Sequence, residues 1–233
     1  MSIRLENPLR RGFVPRIFLP ILAVAIGSAR PAAAQTEPPR FMTVVDASHG
    51  GDDAGGKTGS QAEKAYTLAL AAKLRSLLGA RGIQVTMTRE SDAALDANHR
   101  AEIANRANAQ ACLSLHATTS GSGVHLFVSS VAAGRPQQFL PWKTAQGAWV
   151  AHSMELAGVL DSALTNAGMT VTLGRTALPG IDSMTCPAVA VEIAPEKAGN
   201  GASLDDVAYQ SRVLKALAAA LLQWRSQTGA HQP

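Results

Sequence analysis

A chain of 233 residues with 46% hydrophobic and 16% charged side chains can bury the core of one moderate domain; this is not the composition of a disordered or fibrous protein. The formal net charge of +4 comes from residues 1–34, where Arg4, Arg10, Arg11, Arg16 and Arg30 face Glu6 alone. Beyond them sixteen basic residues balance sixteen acidic ones, so there is no electrostatic case for a nucleic-acid partner.

Residues 1–34 read as a secretory signal. The basic start is followed by the apolar stretch Ile17 to Ile26, and Ala32-Ala33-Ala34 offers small residues for cleavage before Gln35. The stretch is too short for a spanning helix; an uncleaved anchor is the alternative. Arg10-Arg11 fits a twin-arginine signal, although Leu9 stands where a serine is usual. The expectation is an exported or periplasmic protein, with no stable membrane insertion after signal cleavage. A Pro-containing linker spans 35–40, the folded domain 41–228 and a tail 229–233.

Met42 to Ala47 reads as a buried strand. Leu70, Leu74, Leu77 and Leu78 repeat at helical spacing within a helix predicted over Glu63–Ala80, which Gly82 stops. Ile83, Val85 and Met87 alternate with polar residues as a strand. Leu95–Ala109 is a second predicted helix, Ala111–His116 and Val124–Val128 are strands, and Gln146–Ala167 is a helix with Val150, Met154, Ala157, Leu160 and Leu164 inward. Ala188–Val191 is an apolar strand. Ser203, followed by Asp205 and Asp206, is the expected N-cap of a last helix to Arg225. Strands alternating with helices predict an α/β fold: a single domain with a largely parallel central sheet flanked by helices on both faces. Residues 129–145, with Gly134, Pro136 and Pro141, are expected to form a loop over the site. Cys112 and Cys186 each precede a strand; a disulfide and two buried thiols are both compatible with that placement.

His49 follows the first strand, Glu63 opens the first helix, His116 closes the third predicted strand and Glu192 ends the last. Strand ends are where α/β proteins gather their chemistry. Two imidazoles and a carboxylate would hold one zinc ion (Zn2+) per chain and leave a position open for water. Gly50-Gly51 lets the backbone turn beside His49, and a carboxylate at a helix start is favoured in its ionised, metal-binding form. Glu192, on an apolar strand, is the candidate proton carrier. Singly, each residue has an ordinary structural explanation; the combination points to a metal site. A serine-hydrolase reading of Ser48 or Ser114 lacks a G-x-S-x-G elbow. His125 reads as structural, His99 and His152 lack partners at ligand spacing, and Arg100 and Asn105 read as residues that orient loops and helix ends.

From about Thr43 to Trp224 the chain resembles the zinc-dependent N-acetylmuramoyl-L-alanine amidases, the amidase-3 family. The resemblance rests on Val44-Val45-Asp46-Ala47-Ser48-His49-Gly50-Gly51, Glu63-Lys64, Thr88-Arg89, Asp92, Leu95, Arg100, Ala104-Asn105, Ser114-Leu115-His116 and Pro187-Ala188-Val189-Ala190-Val191-Glu192. It implies that 41–228 is a zinc amidase catalytic domain, with His49, Glu63 and His116 on zinc and Glu192 as the catalytic carboxylate. It implies hydrolysis of the amide between N-acetylmuramic acid and L-alanine of the stem peptide, with peptidoglycan as substrate and an activator protein as a candidate partner. The chain departs from the family at Ala47-Ser48, at Thr118 and at Ile193-Ala194-Pro195. Two rival readings are a zinc peptidase acting elsewhere in the stem peptide and a non-catalytic peptidoglycan-binding protein of the same fold.

Overall fold

The computed structural model describes residues 41–58, 61–134, 141–197 and 203–229. The predicted signal and linker lie outside them. Six strands form one sheet: β1 (Met42–Ala47), β4 (Gln84–Met87), β5 (Ala111–Ala117), β6 (Val124–Ser129), β7 (Val171–Thr176) and β8 (Ala188–Ile193), in the order β4-β1-β5-β8-β6-β7. A two-stranded hairpin, β2 (Lys57–Thr58) with β3 (Gln61–Ala62), stands apart.

The expectation of a largely parallel sheet holds for β4, β1, β5 and β8. β6 runs antiparallel to β8, and β7 is parallel to β6. The short connection from β5 to β6, Thr118–Gly123, explains the reversal, because a parallel return needs a crossover of a dozen residues or more.

Helices cover both faces. α1 (Glu63–Gly79), α3 (Val150–Asn166) and α5 (Val207–Gly229) pack on one face through a cluster that includes Leu70, Leu74, Leu160 and Leu217. Each fully buried leucine contributes about 1.5–3 kcal/mol. The opposite face carries a smaller cluster under α2 (Ala97–Arg106) and the short α4 (Pro179–Asp182), built on Val44, Cys112, Ala188 and Ala190. This thinner cover leaves the C-terminal ends of β1, β5 and β8 open on that side.

Several boundaries differ from the sequence expectation for identifiable reasons. α2 begins after Asp96, whose carboxylate accepts the His99 N–H at 2.8 Å, and ends before Asn108, at φ +47°. A 3-10 turn, Trp142–Ala148, precedes α3. Gln146 donates from it to the carbonyls of Met184 and Cys186 at 2.9 and 3.1 Å, so this turn packs beside the segment that leads into β8; residues 135–140 of the expected loop lie outside the described residues. α5 starts later than Ser203: Asp206 is the cap, accepting from the N–H groups of Ala208 and Tyr209, and the helix runs on to Gly229. Cys112 and Cys186 are joined in a disulfide with Cα atoms 6.2 Å apart.

Candidate metal centre

His49 leaves the sheet in a left-handed conformation, φ +62°, which is uncommon outside glycine. Two arginines hold it there. Arg100 donates to the His49 carbonyl at 2.7 Å and to that of Ala47 at 2.8 Å. Arg89 donates to the carbonyls of Ala47, Ser48 and Lys64 at 2.8, 3.0 and 2.6 Å, joining the end of β1 to the start of α1. Gly50 follows at φ +134°, and a Cβ there would lie 2.3 Å from the Ala93 carbonyl oxygen. Lys64 closes the turn by donating to the Gly51 carbonyl and to Asp92 at 2.6 and 2.7 Å.

These constraints aim His49 at the first turn of α1 and the end of β5. His49 Nε2 lies 3.1 Å from Glu63 Oε1, and His116 Nδ1 lies 3.2 Å from the same oxygen. One ligand atom from each of the three residues falls within 4.8 Å of the other two. Among the described residues this is the one such group of His, Cys, Asp and Glu. Gly55 admits the close approach: at φ +64°, a Cβ on it would sit 2.6 Å from His49 Cδ2 and 2.8 Å from Glu63 Oε2.

The surrounding hydrogen bonds leave lone pairs facing inward. Asp53 accepts from His49 Nδ1 at 2.8 Å, which places the ring proton outward and the Nε2 lone pair inward. The same bond, ahead of smaller effects, holds the Asp53 carboxyl below its ordinary value. On the other imidazole, Ser114 donates to Asp46 at 2.6 Å, so its oxygen is left to accept from His116 Nε2, 3.4 Å away; His116 Nδ1 is then free for a metal. Asp46 is itself fixed by Thr88 and Arg100 at 2.6 and 2.7 Å. Burial pushes the Glu63 carboxyl up, but the His116 ring beside it, hydrogen bonds from the Gly56 and Ala117 N–H groups and the nearby His49 outweigh it and bring the group to about 2. Two neutral imidazole nitrogens and one ionised carboxylate oxygen are a donor set that fits a divalent ion of borderline softness.

Glu192 is the direct cross-strand partner of His116, and directly paired residues project to one face. It is half-buried and makes no hydrogen bond among the described residues. A cavity of about 340 Å³ adjoins His49 and His116, with Ser114, Ala190, Asp96, Arg100, Pro179 and Ile181 also in its lining. Ser48 borders it, and its hydroxyl is buried without a partner among the described residues.

The remaining sequence candidates fall where their chemistry allows. Asn105 bridges α2 to Ser183 and Thr185, an orienting role like that of Arg100. His99 and His152 pair with Asp96 and Glu155 on exposed helix surface. Asp53, Gly55 and the Asp46–Ser114 pair were not singled out from sequence as partners of the ligands. The acidic residue four places after His49 was the available signal for Asp53.

No described helix is long and apolar enough to cross a membrane. The amidase AmiA of Escherichia coli K12 is 36% identical over 99 residues, which cover 42% of this chain and 34% of that protein. The chain thus spans about a third of the length of this curated relative. Among solved structures, the catalytic domain of CwlV, an N-acetylmuramoyl-L-alanine amidase from Bacillus (Paenibacillus) polymyxa, superposes with a TM-score of 0.63 at 24% identity, covering 80% of this chain and 98% of that one. The CwlD amidase of Clostridioides difficile, solved in complex with the GerS lipoprotein, gives 0.62 at 21% identity, covering 80% and 98%. At that identity the likeness shows a shared fold. The family described as N-acetylmuramoyl-L-alanine amidase matches residues 43–223, most of the chain, and the protein belongs to that family.

Proposed function

We propose that this chain is an exported zinc amidase that cleaves peptidoglycan between N-acetylmuramic acid and the L-alanine of the stem peptide. The observation that carries the reading is the convergence of His49 Nε2, Glu63 Oε1 and His116 Nδ1 beside a second carboxylate, Glu192, on the same sheet face. His49, Glu63 and His116 would hold zinc, which supplies a Lewis acid that activates water and polarises an amide carbonyl. Glu192 would take the proton of the attacking water and deliver it to the departing amine nitrogen. Its half-buried position and lack of a hydrogen-bond partner among the described residues leave it open to both. Asp53 and Ser114 would keep the two imidazoles in their ligating tautomers. The Cys112–Cys186 disulfide supports an oxidising compartment such as the periplasm, in keeping with the signal pattern of residues 1–34.

Mass spectrometry of the products from purified peptidoglycan tests the reading. Zinc-loaded protein should release free stem peptides that begin at L-alanine, and a chelated sample should not. Peptides shortened but still attached to sugar would instead assign a peptidase. Binding to the wall without release would leave a binding module or an enzyme waiting for an activator, and adding extract of the source cells separates those two. Glu192→Gln should retain stoichiometric zinc and lose turnover by about 10²–10⁴-fold; full turnover would remove Glu192 from the mechanism.

A further inference from the structure

The sheet row that carries His116 and Glu192 continues for two more strands. His125 on β6 is the direct partner of Glu192, and Thr172 on β7 is the direct partner of His125. All four side chains therefore stand in line on the metal-bearing face. The apolar cluster on this face reaches Ala190 and Phe127 but includes neither Glu192 nor His125. His125 Nδ1 lies 2.6 Å from the Thr172 hydroxyl, while Nε2 has no hydrogen-bond partner among the described residues. The β5–β6 loop passes beside that nitrogen at Gly121, where a Cβ would come within 2.9 Å of Nε2. Glycine there keeps the ring edge clear.

The direction of the row assigns what it meets. The cavity beside the ligands has Asp46, Ser114 and Ala190 in its lining, but neither Glu192 nor His125. Glu192 protonates the amine that departs, so the amine side of the scissile bond, the stem peptide, must lie over β8. A chain continuing along the row crosses His125 next. His125 is two strand spacings from His116, about 10 Å, the reach of about three extended residues.

We propose that His125, held by Thr172, is a substrate-positioning residue whose Nε2–H donates to a carbonyl or carboxylate oxygen of the stem peptide beyond the scissile amide. The assignment rests on the amidase reading given above. The assignment takes the Thr172 hydroxyl as the donor to Nδ1, which puts the ring proton on Nε2, the open edge. Among the described residues no other donor pair of this kind occupies the row beyond Glu192.

Calorimetric titration of the zinc-loaded Glu192→Gln protein with N-acetylmuramoyl-L-alanine and with the corresponding dipeptide and tripeptide fragments tests it. Affinity is expected to rise as the peptide lengthens. His125→Ala should remove about tenfold of that gain while leaving zinc content and the affinity for the shortest fragment unchanged. His125→Gln, whose amide nitrogen reaches the place of Nε2, should restore most of the gain. A loss equal for all three fragments, or no loss, overturns the assignment. If wild-type protein releases stem peptides from peptidoglycan while binding is independent of peptide length, His125 alone is wrongly assigned. If no fragment binds and nothing is released, the amidase reading falls and the assignment falls with it.

Discussion

Asp53 touches the candidate metal centre through His49, whose ring it orients. Without the carboxylate, the His49 ring is free to rotate and to carry its proton on Nε2, the atom that faces Glu63. Asp53→Ala should therefore weaken zinc binding about 10–100-fold, measured by competition with a chromophoric chelator; an unchanged affinity would show that the Gly50–Asp53 turn alone orients the ring. Gly55→Ala should act more severely, because the new Cβ would overlap both His49 and Glu63 at a backbone angle that disfavours any side chain. Loss of stoichiometric metal by elemental analysis is the expected result. His49, Glu63, His116 and Glu192 stood out in the sequence because each lies where a strongly patterned element begins or ends. Asp53 did not, since the polar run from Asp52 to Gly59 has no periodicity. Its contact with His49 is made by a backbone turn in which Gly50 and Asp53 exchange hydrogen bonds at 2.8 and 3.2 Å.

Elements were legible in proportion to their burial. α1 was read nearly to its ends because Leu70, Leu74 and Leu78 all face the core. β7 was missed because it is an edge strand whose Thr172, Leu173, Arg175 and Thr176 are exposed, so no alternating pattern marks it. The direction of β6 was within reach: six residues cannot carry a parallel crossover. α5 ties the reversed strand to β8 through one side chain. The Tyr209 hydroxyl donates to the Ala194 carbonyl at 2.8 Å, with the Gly123 carbonyl 3.3 Å away. Burial, with Glu196 nearby, pushes that hydroxyl up to about 12, so it remains a donor across the neutral range. Tyr209→Phe keeps the packing and strands a buried carbonyl, which should cost about 1–3 kcal/mol. A urea transition with a lower midpoint and an unchanged slope is the expected signature.

For the whole molecule the disulfide is a covalent constraint, closing a loop across a separation of 74 residues. Replacing Cys112 and Cys186 together by Ala should lower stability by about 4 kcal/mol in the chain-entropy account, read from denaturant unfolding. Zinc binding by the folded variant should change little, because Cys112 precedes His116 on β5 by about 13 Å of strand. Sequence placed each cysteine at the start of a strand but could not choose between bond and thiols, which depends on whether those strands are neighbours; Cys112 lies in β5 and Cys186 just before β8, its neighbour. The order of the sheet has a further consequence in time. β8 is the last strand to be synthesised, yet it lies between β5 and β6. Until residues 188–193 emerge from the ribosome, β4-β1-β5 and β6-β7 have no shared edge, and the long-range pairing that closes the sheet must wait. A nascent chain thus contains His49, Glu63 and His116 before it contains Glu192. Under the amidase reading, the carboxylate that moves the proton is the last of the four site residues to be made.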